Sequence, residues 1–285
     1  MRIVVHGGAG RIEPEREEAV LKGVQRARDA GWAVLAAGGS ALEAAVAAVR
    51  VLEDDPAFNA GTGSALNRQG FVEMDAAVMV GEGLRFGAVA AVRDVKNPVL
   101  LAREVMDSEH ILLSGEGASL FARERGIPRH PPEALITERA LRRWQKIRRQ
   151  GGRTSGTVGA VALDAEGNLA AATSTGGIVD KRVGRIGDTP LVGAGTYAEA
   201  GLGAASATGE GEYLARALVA YRAVHALKNQ DPKAAAREAL DLARALGGEG
   251  GLILLAADGR FSAVHTSPKM SYAWRGPEGE GAGLS

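Results

Sequence analysis

The sequence predicts an α+β fold in which helices cover β-sheets around one layered core. Both halves of the chain mix β-hairpin patterns with helical patterns, and the two do not alternate regularly as they would in a βαβ barrel. Of the 285 residues, 46% are hydrophobic. Length alone allows one large domain or two ordinary ones, and the shared layered pattern favours one domain over residues 1–285.

The first part of the chain combines one strand with two helices. The predicted elements are, in order, a strand at 2–6, a glycine-rich turn at 7–10, and helices at 13–30 and 41–53. Ser40 and Glu43 lie three residues apart, which is the spacing of a capping box at a helix N-terminus. Because the second helix consists almost entirely of Ala, Val and Leu, we expect it to be buried.

The middle of the chain ends in a segment of different composition. The elements expected before it are strands at 72–80 and 85–92, joined as a hairpin across 81–83, and helices at 98–107 and 116–125. From Gly126 to Gly156 the chain carries prolines, a strongly basic helical piece at 139–149 and a glycine-rich stretch at 151–156. We expect this segment to be an exposed linker that is open to proteolysis.

The last part of the chain begins with a compact β pattern. A turn of Ala-Glu-Gly-Asn at 165–168 separates two apolar runs, which is typical of a hairpin. The predicted elements are strands at 157–164, 169–174, 191–194 and 203–208, helices at 211–228 and 232–246, and strands at 251–256, 260–265 and 270–274.

Charge and composition exclude several classes of protein. The 34 basic and 34 acidic residues cancel, so no net field favours nucleic acid or an anionic membrane as a partner. The absence of cysteine excludes disulfides and thiol catalysis. The N-terminus lacks the apolar stretch of a signal peptide and no long apolar run follows, which predicts a cytoplasmic protein without a membrane span.

The glycine and histidine patterns argue against a dinucleotide-binding site and against a metal site built from histidines. Gly193, Gly195 and Ala198 fit a loose dinucleotide fingerprint, but Gly201 and Gly203 would break the helix that the motif needs, so nucleotide binding is disfavoured. The five histidines never lie three or four residues apart, so no helix is expected to present a pair of metal ligands.

A threonine directly after the linker is the best candidate nucleophile. If the Gly156–Thr157 bond is cut, Thr157 gains a free α-amine beside its own hydroxyl, and an α-amine with a pKa of about 8 can serve as the general base. An ordinary threonine at the start of a strand explains the same residue equally well. His6, at the end of the first strand, is expected to be a hydrogen-bonded structural residue.

Arg185 and Asp188 form a second candidate pair. A guanidinium suits an α-carboxylate and a carboxylate suits an α-ammonium, so the pair could bind a free amino acid. A mutual salt bridge on a loop is the alternative.

Several blocks resemble one family along nearly the whole chain. The following segments look like the signature of the plant-type L-asparaginases, also called isoaspartyl peptidases: His6-Gly-Gly-Ala-Gly10, Phe58-Asn-Ala-Gly-Thr-Gly63, Met74-Asp-Ala76, Val158-Gly-Ala-Val-Ala-Leu-Asp164, Gly167-Asn-Leu-Ala-Ala-Ala-Thr-Ser-Thr-Gly-Gly177, Gly184-Arg-Ile-Gly-Asp-Thr-Pro190 and Gly193-Ala-Gly195.

This resemblance implies a fold and an activity. The family belongs to the N-terminal nucleophile hydrolases, with a four-layer αββα sandwich and a precursor that cleaves itself before a threonine. The resemblance therefore implies an α-subunit of residues 1–156 and a β-subunit of residues 157–285. It also implies hydrolysis of L-asparagine and β-aspartyl dipeptides, no cofactor for catalysis, and a homodimer of αβ units.

The resemblance also assigns roles to individual residues. By position, Thr157 is the nucleophile and Thr175 hydrogen-bonds it, unless Thr175 only caps the following glycine turn. The remaining residues are Thr208 and Gly209 for the oxyanion hole, Asn59 beside the nucleophile, Arg185 and Asp188 for the substrate's α-carboxylate and α-amine, and Gly209 and Gly211 for close backbone approach to the substrate.

A structural sodium ion is implied by position as well. The ion would be held by main-chain carbonyls of Leu52, Glu53, Asp55, Phe58, Ala60 and Thr62. An ordinary loop after a helix explains the same segment nearly as well, because carbonyl ligands leave little side-chain signature.

Three other functions compete with this one. Glycosylasparaginase is disfavoured by the His6-Gly-Gly-Ala-Gly10 start. A taspase-like threonine protease is disfavoured by Thr175 and by Asp188, because the carboxylate suits a free α-amine rather than a peptide. A non-maturing binding protein of the same fold is the alternative from another class.

Overall fold

The computed structural model describes residues 1–152 and 154–285. The helices are α1 (Glu17–Ala36), α2 (Ala41–Asp54), α3 (Pro98–Met106), α4 (Gly115–Glu124), α5 (Glu138–Gln150), α6 (Gly211–Ala217), α7 (Val219–Ala226) and α8 (Pro232–Ala245). The strands are β1 (Arg2–Gly10), β2 (Met74–Val80), β3 (Phe86–Val92), β4 (Leu112–Ser114), β5 (Val158–Leu163), β6 (Leu169–Thr175), β7 (Thr196–Glu199), β8 (Gly203–Gly209), β9 (Gly250–Ala256), β10 (Phe261–His265), β11 (Lys269–Gly276) and β12 (Gly279–Leu284).

The strands form one large sheet and one small sheet. The large sheet has eight strands in the order β12-β11-β1-β5-β6-β2-β3-β4, and the small sheet has four in the order β10-β9-β8-β7. Neighbouring strands are antiparallel except for β3 and β4, which are parallel. The β5–β6 hairpin therefore lies at the centre of the large sheet, directly after Thr157.

Helices and sheets pack in a mixed α/β arrangement. Helices α1, α2 and α3 contact the large sheet, the strands of the two sheets contact each other, and α7 and α8 contact the small sheet. Apolar side chains fill both regions, one cluster between the large sheet and its helices and another around the small sheet. The predicted fold class, sheets covered by helices, is confirmed at this level.

The alternation of side chains along β5 determines where the candidate nucleophile points. Val158 and Ala160 belong to the cluster under the helices, whereas Val161 and Leu163 belong to the cluster shared with the small sheet. Because successive side chains point to opposite faces of a strand, residue 157 lies on the side that faces the small sheet.

Most predicted elements are confirmed, including the capping box. The Ser40 hydroxyl accepts a hydrogen bond from the Glu43 N–H, and the Glu43 carboxylate accepts one from the Ser40 N–H. The predicted hairpin at 72–92 is confirmed, and its strands pair antiparallel. Within the predicted linker at 126–156, Arg153 lies outside the described residues, and the basic piece forms helix α5.

Some predicted elements differ from the structure, and two strands were not predicted. The glycines at 7–10 continue strand β1 instead of forming a turn, with an irregular register between His6 and Ala9. A strand was expected at 191–194, but it lies at Thr196–Glu199, because Gly193 has a positive φ of 83° within a tight turn. The helix predicted at 211–228 is broken at Leu218, whose φ of 48° is left-handed. Strands β4 and β12 were not predicted.

Candidate active site

Thr157 lies between the sheets beside a second threonine. Its side chain is buried, with 3% of the residue exposed, and its Oγ1 donates to Thr175 Oγ1 at 3.3 Å. The β5–β6 register pairs Val158 with Ser174, so the residue before β5 lies across from the residue that ends β6. The sequence prediction that Thr175 accompanies Thr157 thus corresponds to a direct contact.

The carbonyl group just before Thr157 accepts two side-chain hydrogen bonds. Gly156 O accepts from Asn59 Nδ2 and from Thr175 Oγ1, each at 2.7 Å. Asn59 is itself fixed, because its Nδ2 also donates to Gly177 O and its Oδ1 accepts from the Ala65 N–H. Two donors on one carbonyl oxygen polarise the C=O bond, and they would stabilise negative charge that develops on that oxygen.

Glycine at position 156 has a steric reason. A Cβ atom there would lie 3.2 Å from the Cβ of Asn59, so a larger residue would press on the amide that donates to the carbonyl. Gly8 in β1 has a φ of +107°, and a Cβ there would approach Thr157 O to 3.3 Å. The backbone on both sides of Thr157 is therefore closely packed.

Thr208 and Gly209 lie at the end of β8, close to the same part of β1. Thr208 Oγ1 accepts from the Ala9 N–H at 3.2 Å, which leaves the hydroxyl proton available for another acceptor. Gly209 has a φ of +144°, and a Cβ there would lie 2.4 Å from Glu249 O, so only glycine fits. Gly209 also lines a cavity of about 450 Å³, together with Thr154 and Ser155 of the linker.

Arg185, Asp188 and Gly211 converge on one point. A Cβ atom on Gly211 would lie 2.7 Å from Asp188 Oδ1 and 2.9 Å from Arg185 Nη2. Arg185 makes two parallel hydrogen bonds of 2.9 Å to Glu212. Among the described residues its ion-pair partner is Glu212 rather than Asp188, so the mutual salt bridge that we considered as the alternative is not present.

Asp188 is a buried carboxylate with an unused oxygen. Only 3% of the residue is exposed, and within the described part of the chain Oδ2 has no hydrogen-bond partner. Burial raises the pKa of Asp188 to about 7, although the nearby Arg185 opposes this shift. Such a group either takes up a proton near neutral pH or pairs with a cationic or hydrogen-bond-donating ligand, since an unpaired buried charge costs roughly several kcal/mol in free energy.

Four buried side chains form a continuous hydrogen-bonded chain between the sheets. His6 Nε2 contacts Ser206 Oγ at 2.9 Å, Ser206 Oγ contacts Thr173 Oγ1 at 2.8 Å, and Thr196 Oγ1 donates to Thr173 Oγ1 at 2.8 Å. Thr196 Oγ1 also lies 3.2 Å from the carbonyl oxygen of Thr189, the residue after Asp188. All four side chains are fully buried.

The protonation state of His6 determines which groups donate and which accept along this series of hydrogen bonds. Burial lowers the pKa of His6 to about 3, with the Thr157 backbone opposing the shift, so the ring is neutral at pH 7. The neutral ring has one acceptor nitrogen. When this is Nε2, it accepts from Ser206, Ser206 accepts from Thr173, and Thr173 accepts from Thr196. Nδ1 of His6 has no hydrogen-bond partner within the described residues. The expectation that His6 is a hydrogen-bonded structural residue is confirmed by its contact with Ser206.

Sequence reasoning assigned no role to Asp75 or Lys181. Asp75 is fully buried in β2, its Oδ1 accepts from the Ala91 N–H at 2.8 Å, and burial raises its pKa against the influence of Lys181 and Arg185. Lys181 is also buried and donates to Glu73 O. A single acidic residue inside an apolar strand was the signal that could have identified Asp75.

The loop after α2, where a sodium ion was expected, is closed on itself. The Thr62 N–H donates to Glu53 O at 2.8 Å, and the Phe58 N–H donates to Asp55 O at 3.1 Å. Arg139 of α5 donates to Phe58 O at 2.9 Å and to Pro56 O at 2.8 Å. Several carbonyls therefore converge here, and a guanidinium already contacts one of the six predicted ligands.

Comparison with known proteins gives a consistent result. The asparaginase family model matches residues 1–282. The chain is 50% identical over 282 residues to an isoaspartyl peptidase/L-asparaginase from Mus musculus, covering 95% of this chain and 86% of that protein. It is 46% identical over 280 residues to the protein of the same name from Xenopus laevis, covering 95% and 91%. It is 43% identical over 296 residues to the plant-type L-asparaginase of Pyrococcus horikoshii, covering 95% of each. The chain belongs to the asparaginase family.

Proposed function

We propose that this protein is a threonine amidohydrolase that activates itself by cutting its own chain before Thr157. It then hydrolyses the side-chain amide of L-asparagine and the isopeptide bond of β-aspartyl dipeptides. The observation that carries the proposal is the position of the Thr157 hydroxyl beside Thr175, next to a Gly156 carbonyl that accepts two side-chain hydrogen bonds. The names of the relatives support the substrates.

The cleavage step begins with attack of Thr157 Oγ on the carbonyl carbon of Gly156. Negative charge moves to Gly156 O, where Asn59 and Thr175 donate. The C–N bond then breaks, the Thr157 nitrogen takes the hydroxyl proton, and an ester joins Gly156 to Thr157. Water hydrolyses this ester, which leaves a carboxylate on Gly156 and a free hydroxyl and α-amine on Thr157.

Substrate recognition is assigned to the converging charged residues. Arg185 would bind the α-carboxylate of the aspartyl group, Asp188 would accept hydrogen bonds from its α-ammonium, and Gly211 gives the substrate room between them. The unused Asp188 oxygen supports this assignment, because an ammonium group would supply the missing donor. Arg185 would share its guanidinium between Glu212 and the substrate.

The catalytic step uses the α-amine released by cleavage. That amine removes the proton from Thr157 Oγ, which attacks the side-chain carbonyl carbon of the substrate. The oxyanion is assigned to the Thr208 hydroxyl and the Gly209 N–H. The amine returns the proton to the leaving nitrogen, ammonia or an amino acid departs, and water hydrolyses the β-aspartyl ester to release aspartate.

The finer architecture and assembly belong to the same proposal. Contacts between α1–α3, the two sheets and α7–α8 support a four-layer αββα sandwich of the N-terminal nucleophile hydrolase type. We also propose a homodimer of αβ units. No helix in the described part of the chain is long and apolar enough to cross a membrane.

A structural sodium ion fits the loop after α2 in part. The carbonyls of Leu52 and Glu53 lie at the helix C-terminus, where the helix dipole favours a cation. The ion would hold the loop that carries Asn59, with no role in the chemical steps. A higher melting temperature in sodium chloride than in choline chloride at equal ionic strength would support it, and equal values would argue against it.

The proposal is tested by intact mass and by substrate turnover. Purified protein is followed by denaturing mass spectrometry over several days, with N-terminal sequencing of the fragments and assays of ammonia from L-asparagine. Two fragments, one beginning at Thr157, together with ammonia release support the proposal. A chain that stays whole and releases no ammonia would instead favour a non-maturing binding protein. Cleavage of glycosylated asparagine, or of an internal peptide bond, in preference to asparagine would favour glycosylasparaginase or a taspase-like protease.

A further inference from the structure

Arg143 of α5 is a partly buried cation without a counter-ion. Its Nη2 donates to the backbone carbonyl of Ser155 at 3.2 Å. In the described part of the chain no carboxylate lies within ion-pair distance of it, and the charges that act on it are Arg139 and Arg16. Burial and these two cations lower the pKa of Arg143 to about 10, so it still carries its charge at pH 7.

The neighbouring arginines donate to carbonyls of the loop after α2, whereas Arg143 donates to the linker. Arg139 donates to Pro56 O and Phe58 O, and Arg16 donates to Ala57 O at 2.6 Å. Both also lie near acidic residues, Asp55 in one case and Glu13 in the other. Among the described residues Arg143 has one carbonyl oxygen for its five N–H donors, so the half-buried guanidinium has donors left for a further acceptor.

Cutting the chain after Gly156 would remove even this partner. Ser155 lies one residue before the new end, so its carbonyl becomes free to move. Helix α5 is held independently of the linker, because Trp144 Nε1 donates to Asn67 O at 2.8 Å and Arg139 contacts the loop after α2. Arg143 would therefore stay in place while its acceptor leaves.

Two cavities meet at Arg143. One, of about 450 Å³, is also lined by Gly209 and Glu212, and the other, smaller one is also lined by Asn59 and Gly156. The larger cavity is also lined by the acidic residues Glu210, Glu212 and Glu249. A second cation, the exposed Arg11, lines both cavities with Arg143, so an anion would be attracted by this arginine end rather than by the whole cavity. Arg143 thus borders the space around both proposed reactions.

We propose that Arg143 binds an α-carboxylate in the matured protein. The proposal rests on the function proposed above, since it requires cleavage at Gly156. Two carboxylates have the required chemistry: the new C-terminus of Gly156, and the α-carboxylate of the amino acid that departs from a β-aspartyl dipeptide. In the first case Arg143 draws the cleavage product away from Thr157. In the second case it favours dipeptides that end in a free acid.

The experiment compares β-aspartyl-leucine with β-aspartyl-leucine amide. The matured wild-type protein is assayed before and after carboxypeptidase removes the tail at 151–156, and mass spectrometry confirms each state. After trimming, we expect a KM for the free acid about tenfold lower than for the amide, because only the free acid brings a negative charge to the guanidinium. R143Q should lose this difference, and R142Q is the matched control, since Arg142 is an exposed neighbour paired with Glu138.

Each outcome has a defined meaning. A preference for the acid before trimming identifies the departing amino acid as the ligand, and a preference only after trimming identifies the Gly156 terminus as the competing occupant. No preference in either state, or a preference that persists in R143Q, overturns the proposal. If R143Q does not cleave itself, the comparison of the untrimmed and trimmed wild-type protein still shows whether a free carboxylate is preferred. Turnover of L-asparagine in the same samples shows separately whether the proposed function holds.

Discussion

The polar groups beside Thr157 and the carboxylate of Asp188 differ in whether the protein supplies all their hydrogen-bond partners. Beside Thr157, the side chains that contact its hydroxyl or the Gly156 carbonyl are paired within the protein: Thr175 both accepts and donates, and Asn59 uses its Nδ2 and its Oδ1. At Asp188 a fully buried carboxylate keeps one oxygen without a partner in the described residues. The reacting groups are thus fixed in advance, whereas the recognition site retains an unsatisfied group that a ligand can satisfy.

This difference has an energetic reason. Preorganised donors need no rearrangement when charge develops on an oxygen, so complete hydrogen bonding benefits a chemical step. A binding site gains affinity when the ligand supplies a bond that the free protein lacks, because the penalty for the unpaired group is then relieved. The following predictions test this contrast, from the largest expected effect to the smallest.

The largest effect is expected for Thr157→Ala. Removing the hydroxyl removes the nucleophile of both steps, so we expect neither fragments nor ammonia release above background. Thr157→Ser is the control, because it keeps the hydroxyl, and it should still be cleaved. Detectable turnover of asparagine by the alanine variant would contradict the assignment of Thr157.

Asn59→Asp should slow self-cleavage by about 100-fold, the typical cost of losing one oxyanion donor. Aspartate keeps the shape and an acceptor for the Ala65 N–H, but it cannot donate to Gly156 O. The measurement is the rate at which the intact mass disappears in freshly purified protein. Thr175→Ser, which keeps its hydroxyl donor, is the control, and cleavage of Asn59→Asp at the wild-type rate would show that Asn59 is not needed for this step.

Asp188→Asn should raise the KM for asparagine by roughly 100-fold, because a charge-assisted contact to the substrate's ammonium is lost. Self-cleavage should continue, since Asp188 does not contact Gly156 in the described residues. Glu210→Gln, at a half-buried carboxylate that lines the cavity beside Gly209, is the control. An unchanged KM in Asp188→Asn would remove Asp188 from the recognition site.

The pH dependence of substrate binding follows from the same carboxyl group. The pKa of Asp188 is raised to about 7 in the free protein, and only the ionised form suits an ammonium group. The value of 1/KM for asparagine should therefore rise between pH 6 and pH 8 by about tenfold at most, one decade per pH unit below the pKa. The same profile in Asp188→Asn should be flatter, and identical profiles would assign the titration to another group.

The smallest effect is expected on stability, when the hydrogen bonds of Thr173 between the sheets are removed. Thr173→Val leaves Ser206 and Thr196 each without one partner, so the free energy of unfolding should fall by about 1–3 kcal/mol. Thr173→Ser keeps the hydroxyl and should recover most of this loss in the same denaturant titration. Equal stabilities of the valine variant and the wild type would show that these hydrogen bonds contribute nothing measurable to the free energy of unfolding.

Local patterns predicted much of the fold. The capping box at Ser40, the hairpin at 72–92 and the α8 helix carry signals within a few residues of themselves, so they could be read directly. The break at Leu218 could not, because leucine is a good helix former. After the break, the Ala220 and Tyr221 N–H groups donate to the distant carbonyls of Ala194 and Gly193. The shifted strand at Thr196–Glu199 depends in the same way on its partner β8.

The sequence by itself determined which residues could do chemistry. It excluded cysteine nucleophiles, and it placed Thr157 after a glycine-rich linker and Arg185 three residues before Asp188. Only the tertiary structure decided how these groups meet, because Thr157 and Thr175 become neighbours through β-pairing, whereas Asn59 reaches Gly156 from 97 positions away in the chain. Within the described residues, the unpaired oxygen of Asp188 and the lack of a carboxylate beside Arg143 could likewise not be predicted, since burial and partners exist only once distant segments have packed together.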